Sequence, residues 1–135
     1  MLLSVDTASE RPIYEQIADA VRRAVARGEI LAGEKLPPAS EVAAGLDVNK
    51  HTVLRAYQSL RNEGLVDLRR GRGAVVTRIA SDVVELHRDL EAFVSRAASL
   101  GISRQALASL VAGSAVPDTR LERSADRGAE REPQS

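Results

Sequence analysis

The spacing of the apolar residues changes after Gly64, and this change limits the possible folds more than any other feature of the chain. Upstream of Gly64, apolar residues recur every three or four positions, which is typical of amphipathic helices. Downstream, the short runs 65–69 (LVDLR) and 74–77 (AVVT) have the composition of strands. Between these runs lies Arg70-Gly71-Arg72-Gly73, which predicts the tip of a β-hairpin because glycine tolerates the backbone of tight turns.

Three helices are predicted before the hairpin. The first runs from Pro12 to Gly28, and the second spans 39–46. After a tight turn at 46–48, Asn49 is expected to cap the third helix, with the amide of Thr52 as the capped group. The third helix ends at Gly64. The residues predicted to face inward on the three helices are Ile13, Ile17, Val21, Val25, Val42, Ala43, Leu46, Val53, Ala56, Tyr57 and Leu60.

The order helix, helix, turn, helix, hairpin is the plan of a winged helix-turn-helix. The predicted fold is therefore mainly α with a small β-hairpin, followed by a two-helix segment. Residues 80–101 carry a heptad pattern, and Ser103 is a candidate cap for a further helix that ends near Gly113. Apolar residues of this segment are predicted to pair helices in a homodimer: Val83, Leu86, Leu90, Phe93, Ala97, Leu100, Leu107, Leu110 and Val111.

We therefore divide the chain into four parts. Residues 1–10 are interpreted as an irregular arm, 11–79 as the winged domain, 80–113 as the dimerisation segment and 114–135 as a disordered tail. The net charge is zero, with 19 basic and 19 acidic residues, so any attraction to nucleic acid must come from local charge placement. Residues 68–78 provide it, since they contain four arginines and no acidic residue.

Composition argues against several other classes of protein. The chain has no Cys, its two His residues are far apart in sequence, and no nucleophile has a neighbouring base. We therefore expect neither an enzyme nor a bound metal or cofactor. No apolar run reaches the roughly 20 residues of a membrane span, and the first residues do not resemble a signal peptide, so a cytoplasmic location is expected.

The residues that open the third helix are the candidate base readers. In a helix-turn-helix this part of the second helix of the motif enters the major groove. Here it carries donors of several lengths, Asn49, Lys50, His51 and Thr52, with Arg55 one turn further. His51 alone is more often an exposed polar residue than a base reader, and a basic hairpin tip alone is usually a solvated turn. Their joint occurrence in the correct order favours double-stranded DNA as the partner.

Several motifs resemble the N-terminal domain of GntR-family transcription regulators, over about residues 11–79. They are PIYEQI at 12–17, GEKLP at 33–37, Val48-Asn49 with Thr52-Val53 and Ala56-Tyr57, EGLV at 63–66, and Gly71 with Gly73. The version of the third helix and the short C-terminal part resemble the YtrA subfamily. This resemblance implies a homodimeric repressor of a transporter-type operon and of its own gene, bound to a roughly palindromic operator, with room for an unknown small-molecule effector.

The resemblance also completes the predicted DNA-binding set, which is Lys35, Ser40, Asn49, Lys50, His51, Thr52, Arg55, Arg70, Gly71, Arg72 and Gly73. The family often has Ser and then a DNA-contacting Arg after Leu-Pro, where this chain has Pro38 and Ser40. This loss shifts the expected contacts to Lys50, Arg55 and the hairpin. The usual Gly of the turn is Asp47, which tolerates a left-handed backbone.

Two alternatives from other classes stay open at this point. A winged domain can instead serve as a protein–protein interaction module without sequence-specific DNA binding. Salt-sensitive retention on a DNA or heparin column distinguishes the two, since it favours DNA binding. A small hydrolase or metal enzyme is the weaker alternative, because only the acidic face of Asp82, Glu85 and Asp89 suggests ligands and no His or Cys completes it.

Overall fold

The computed structural model describes residues 3–115, and the predicted tail lies largely outside them. It is mainly helical with one antiparallel hairpin, which confirms the predicted fold class. The chain divides into two compact units between Glu91 and Ala92. The elements, in chain order, are α1 (Ile13–Ala26), α2 (Ala39–Leu46), α3 (Lys50–Asn62), β1 (Val66–Arg69), β2 (Gly73–Val76), α4 (Ile79–Ser99) and α5 (Arg104–Ala112).

Helix α1 belongs to the first compact unit, up to Glu91, which we call the winged unit. Pro12 is its N-cap residue, and Ile17, Val21 and Val25 are fully buried, as their fourfold spacing predicts. The helix ends at Ala26, two residues before Gly28. Gly28 has φ +76°, a left-handed conformation that ends helices and that glycine adopts without steric cost.

Helix α3 packs against both α1 and α2 through the predicted stripe. Val53, Ala56 and Leu60 are fully buried, and Tyr57 is nearly so. Burial of a side chain the size of Leu60 stabilises the fold by about 1.5–3 kcal/mol. Since the buried residues of α3 contact both α1 and α2, the orientation of α3 depends on the packing of all three helices.

The turn before α3 confirms one prediction and corrects another. Asp47 has φ 55°, the left-handed conformation expected of it. Asn49 caps α3, but its Oδ1 accepts from the amide of His51 at 2.8 Å and not from that of Thr52. The Thr52 amide instead donates to the carbonyl of Asn49 at 3.0 Å. The predicted partner was therefore wrong by one residue, because the short Asn side chain reaches the earlier of the two amides.

The hairpin belongs to a slightly larger sheet than predicted. Strands β1 and β2 pair from Val66↔Val76 to Arg69↔Gly73, so Gly73 lies in a strand and the tip is 70–72. The outer edge of β2 pairs with residues 33–36. The amides of Gly33 and Leu36 donate to Val76 and Ala74 at 2.8 Å each. This third edge fastens the base of the hairpin to the segment before α2.

The predicted arm is irregular, but it is held against the unit. The Gln16 side chain accepts from the amide of Asp6 at 2.7 Å and donates to the carbonyls of Asp6 and Arg11. Leu3 and Val5 pack against the core. The hydrogen bonds of Gln16 and the apolar contacts of Leu3 and Val5 therefore attach the described part of the arm to the first unit.

In the second unit, Ser103 caps α5 as predicted, since its Oγ accepts from the amide of Ala106 at 3.1 Å. Gly113 is the C-cap, also at the predicted position. Ala97 and Leu107 are buried. Among residues 3–115, no helix combines the length and hydrophobicity needed to cross a membrane.

Candidate nucleic-acid interface

The first turn of α3 presents polar groups to solvent. Asn49, Lys50 and His51 are exposed, and Thr52 is half-buried. The side-chain oxygen of Asn49, Oδ1, accepts the capping hydrogen bond from His51. The side-chain NH₂ group is left to donate to an acceptor outside the chain. The exposed end of α3 is therefore rich in donors, which suits phosphate oxygens and purine acceptors.

Arg55, one turn further along α3, lies over the ring of Tyr14 on α1. The guanidinium carbon is 4.0 Å from the ring centroid, within the range of a cation–π contact. Arg55 is exposed and Tyr14 is half-buried, so the ring supports a cation that stays accessible. Sequence reasoning selected Arg55 but missed Tyr14, because no local spacing relates residues on two helices.

The hairpin tip presents its cations without cover. Arg70, Gly71 and Arg72 are exposed, and the Arg72 amide donates to the Arg69 carbonyl at 3.0 Å to close the turn. Gly71 and Gly73 have φ +80° and +73°, and a Cβ on either would meet no atom within 4 Å. Glycine is therefore required here by the backbone conformation and not by lack of space.

Two further predicted DNA-binding residues, Lys35 and Ser40, are exposed on the segments that precede α3. Lys35 is exposed on the segment 33–36, and its backbone forms an isolated antiparallel β-bridge with Val75 of β2. Ser40 is exposed in the first turn of α2. Lys35 is thus attached to the hairpin sheet, whereas Ser40 belongs to the helix that precedes the turn.

A chain of ion pairs fastens α1 to the end of α3. Arg22 contacts Asp19, three residues earlier on α1, at 2.5 Å, and it also forms a bidentate contact with Glu63, the C-cap residue of α3. Arg11 contacts the same Asp19 at 2.6 Å. The contact with Glu63 was not predicted, because 41 residues separate it from Arg22.

The protonation of these groups reflects their contacts. Partial burial acts to raise the pKa of Asp19, but the hydrogen bonds and charges of Arg11 and Arg22 outweigh it and lower that pKa. The hydrogen bond to Glu63 raises the pKa of Arg22 despite partial burial. The lowered pKa of Asp19 and the raised pKa of Arg22 both favour the charged forms, so the end of α3 is held electrostatically as well as by packing.

Tyr57 holds α3 to the segment before α2. Its hydroxyl donates to the carbonyl of Pro37 at 2.5 Å, across 20 residues of sequence. Burial, and secondarily the charge of Glu41, raises the pKa of Tyr57 to about 12. The prediction that Tyr57 is a core residue and not a stacking platform is confirmed.

The predicted dimerisation residues fall into two groups. Ala97 and Leu107 are buried within the chain, and Val83 is partly buried against the core of the winged unit, so these three have contacts in the single chain. The reason is local: Val83 lies one turn into α4, next to the buried Ala80. The other six remain 53–70 % exposed, and they are Leu86, Leu90, Phe93, Leu100, Leu110 and Val111.

No group of three or more His, Cys, Asp or Glu side chains within residues 3–115 is placed to hold a metal ion. The acidic residues of α4 thus form no such group, and His87 contacts Glu91 at 2.8 Å.

Comparison with known proteins agrees with this arrangement. Residues 13–76 match the family described as bacterial regulatory proteins, gntR family. The chain is 37 % identical over 102 residues to the HTH-type transcriptional regulator YhcF of Bacillus subtilis, covering 72 % of this chain and 84 % of YhcF. It is 35 % identical over 79 residues to the HTH-type transcriptional repressor YtrA of the same organism, covering 58 % of this chain and 61 % of YtrA.

A solved structure connects the fold to DNA. The DNA-binding domain of AraR in complex with operator ORX1 superimposes with a TM-score of 0.51 and 28 % identity, covering 56 % of this chain and 96 % of that domain. The share of this chain that is covered is close to the length of the winged domain. The relatives are named as transcription regulators, and the similar domain was crystallised on its operator.

Proposed function

Because the chain belongs to the GntR family and is a DNA-binding transcription regulator, we propose that it represses its target genes as a homodimer on a roughly palindromic operator. In this proposal the first turn of α3 reads bases in the major groove through Asn49, Lys50, His51 and Thr52. Arg55, supported by Tyr14, contacts the same groove or its phosphate border. Arg70 and Arg72 hold the DNA backbone or the minor groove through the hairpin tip.

The observation that carries the proposal is the position of α3. The helix is fixed by its buried stripe, by the Tyr57 hydroxyl and by the Arg22–Glu63 contact, while its first turn stays exposed and rich in donors. A helix that is fixed by three sets of contacts and has an exposed polar first turn suits rigid insertion into a groove. Ser40 supplies a hydroxyl donor beside it, and Lys35 a cation near the hairpin, in place of the arginine that the family often carries.

The exposed apolar face of the second segment supports the homodimer. Six large apolar side chains stay open to solvent in the single chain, and a second copy supplies the same face. Residues 80–135 hold seven basic and nine acidic residues, so this part of the chain does not attract DNA. Pairing there would place two α3 helices on half-sites about one helical turn, roughly 34–36 Å, apart.

Repression is proposed from the similarity to YtrA, and control of a transporter-type operon and of the chain's own gene from the family resemblance. Since the chain acts on operator DNA, we place it in the cytoplasm. We also propose that it has no catalytic activity and that any small-molecule effector acts by changing operator affinity.

Selection of bound duplexes from a random DNA pool at moderate salt tests the proposal. Recovery of two inverted half-sites is expected from a sequence-reading dimer. Recovery of a single half-site would contradict the dimer. Recovery of no motif, with binding lost as salt rises, would leave only phosphate attraction and turn attention to a protein partner.

A further inference from the structure

The outer face of the hairpin sheet carries an arginine-lined cleft. Residues on this face alternate with buried Val66, Ala74 and Val76, so it is the side turned away from the helical core. The cleft has a volume of about 530 Å³ and lies between the strands, the loop at 32–33 and the start of α4. Its charged lining consists of Arg69, Arg72, Arg78 and Asp67, and its apolar lining includes Val75 and Ile79.

Positive charge dominates this cleft. Asp67 is its single acidic residue, and it contacts Arg69 at 3.5 Å with both side chains more than half exposed, so the pair is weak. Arg72 and Arg78 form no ion pair with a carboxylate anywhere within residues 3–115. Arg72 and Arg78 therefore line one concave surface without a carboxylate partner among the described residues.

We propose that this cleft binds a phosphate group through Arg69, Arg72 and Arg78. A guanidinium donates two parallel hydrogen bonds to an oxyanion, and several of them around one cleft suit the oxygens of a phosphate. At about 530 Å³ the cleft has room for a phosphate with an attached organic group as well as for a bare phosphate. Val75 and Ile79 would contact the apolar part of such a group.

Two sources can supply this phosphate. One is a backbone phosphodiester of the operator, in which case Arg69 and Arg78 extend the DNA contact beyond the hairpin tip; this source rests on the proposed function. The other is a free phosphate monoester. Because the cleft joins the hairpin to the start of α4, such a ligand would contact the DNA-binding and dimerisation elements together.

The test uses the full chain, Arg78→Gln and Arg69→Gln. Arg70→Gln is the control for the phosphate titration, because Arg70 lies at the hairpin tip and does not line the cleft; in the operator titration it reports the tip contact of the proposed function. In the first measurement, a selected operator duplex is titrated at several salt concentrations. In the second, inorganic phosphate and a phosphate monoester, glycerol 3-phosphate, are titrated while the arginine side-chain resonances are followed by NMR.

If the source is DNA, Arg78→Gln weakens operator binding roughly tenfold and lowers the salt slope by about 0.9, the value for one lost phosphate contact. If the source is a free ligand, phosphate shifts the Arg78 resonance of the unaltered chain. In Arg78→Gln, phosphate should no longer shift the resonances of the other cleft arginines. The monoester should also lower the affinity of the unaltered chain for the operator. Arg69→Gln should act in the same direction in either case.

The proposal is overturned if both cleft variants keep the operator affinity and salt slope of the unaltered chain and phosphate shifts no cleft resonance. In that outcome, a reduced slope in Arg70→Gln would leave the proposed function intact. If neither the unaltered chain nor Arg70→Gln binds any duplex in a salt-dependent way, the proposed function fails instead, and the phosphate titration still decides the fate of the cleft.

Discussion

The winged unit and the second segment differ in how far their apolar side chains are buried. In the winged unit 19 residues form one buried cluster, and the large ones, such as Ile17 and Leu60, are fully covered. From Ala92 to residue 115, only Ala97 and Leu107 are buried, while Phe93, Leu100 and neighbours stay exposed. The first region therefore buries its large apolar side chains within one chain, whereas most of those in the second stay exposed among residues 92–115.

Matched leucine truncations give the largest expected difference between the two regions. Leu60→Ala leaves a cavity under α3 and should reduce the free energy of unfolding by about 2–5 kcal/mol at any protein concentration. Leu90→Ala removes the same atoms from a side chain that is 53 % exposed. In dilute protein it should cost under about 0.5 kcal/mol.

Chemical denaturation at two protein concentrations checks this pair. The cost of Leu90→Ala should rise with concentration, because a homodimer links stability to association. A cost for Leu90→Ala in dilute protein that matches that of Leu60→Ala would break the comparison, since it would show that α4 is already covered within one chain.

A charge placed on the exposed face sharpens the same comparison. Phe93→Glu should weaken the dimer at least tenfold, because pairing would then bury an uncompensated carboxylate at the centre of the apolar face. Sedimentation velocity over a range of concentrations measures the effect. Ser95→Glu is the control, because Ser95 is exposed on the same helix but does not belong to the apolar set. Equal loss in both variants would argue against a specific face.

A smaller effect is expected where α1 supports α3. Tyr14→Leu removes the ring beneath Arg55, and loss of a cation–π contact of about 0.5–1 kcal/mol should weaken operator binding two- to fivefold. Tyr14→Phe keeps the ring and should bind like the unaltered chain. Affinity for the operator and for point-substituted operators is measured in parallel. A loss in Tyr14→Leu that Phe does not rescue would assign the effect to packing or to the hydroxyl.

Much of the winged unit follows from the sequence, because its determinants are local. The helical spacing of Val53, Ala56, Tyr57 and Leu60 predicts one buried face, and all four are buried. The positions of the hairpin and of the Ser103 cap were likewise predicted from turn and cap residues. Such features depend on neighbours within about four residues, which a single sequence displays directly.

The contacts that orient the site could not be predicted in the same way. Tyr14 and Arg55 lie on different helices, and the Arg22–Glu63 contact spans 41 residues, so only the folded packing of α1 on α3 brings them together. The arginine cleft depends on the pleat of the sheet and on the third edge at 33–36. These features arise from tertiary geometry, and no sequence period encodes it.

An effect of similar size concerns the hydrogen bond that joins α3 to the segment before α2. Tyr57→Phe removes the hydrogen bond to the Pro37 carbonyl and should lower the free energy of unfolding by about 1 kcal/mol at pH 7. The pKa of Tyr57 is raised to about 12 in the folded protein, whereas an unfolded tyrosine ionises near 10. The stabilisation by Tyr57 is therefore fully present below pH 10 and is lost as the pH rises towards 12.

Urea denaturation of both forms between pH 7 and pH 11.5 measures this dependence. The advantage of the unaltered chain over Tyr57→Phe should stay constant up to about pH 10 and then shrink, because the unfolded state releases the phenol proton first. An advantage that does not change across this range would show that the hydroxyl ionises equally easily in both states. The hydrogen bond from the Tyr57 hydroxyl to the Pro37 carbonyl would then not stabilise the folded position of α3 in the expected way.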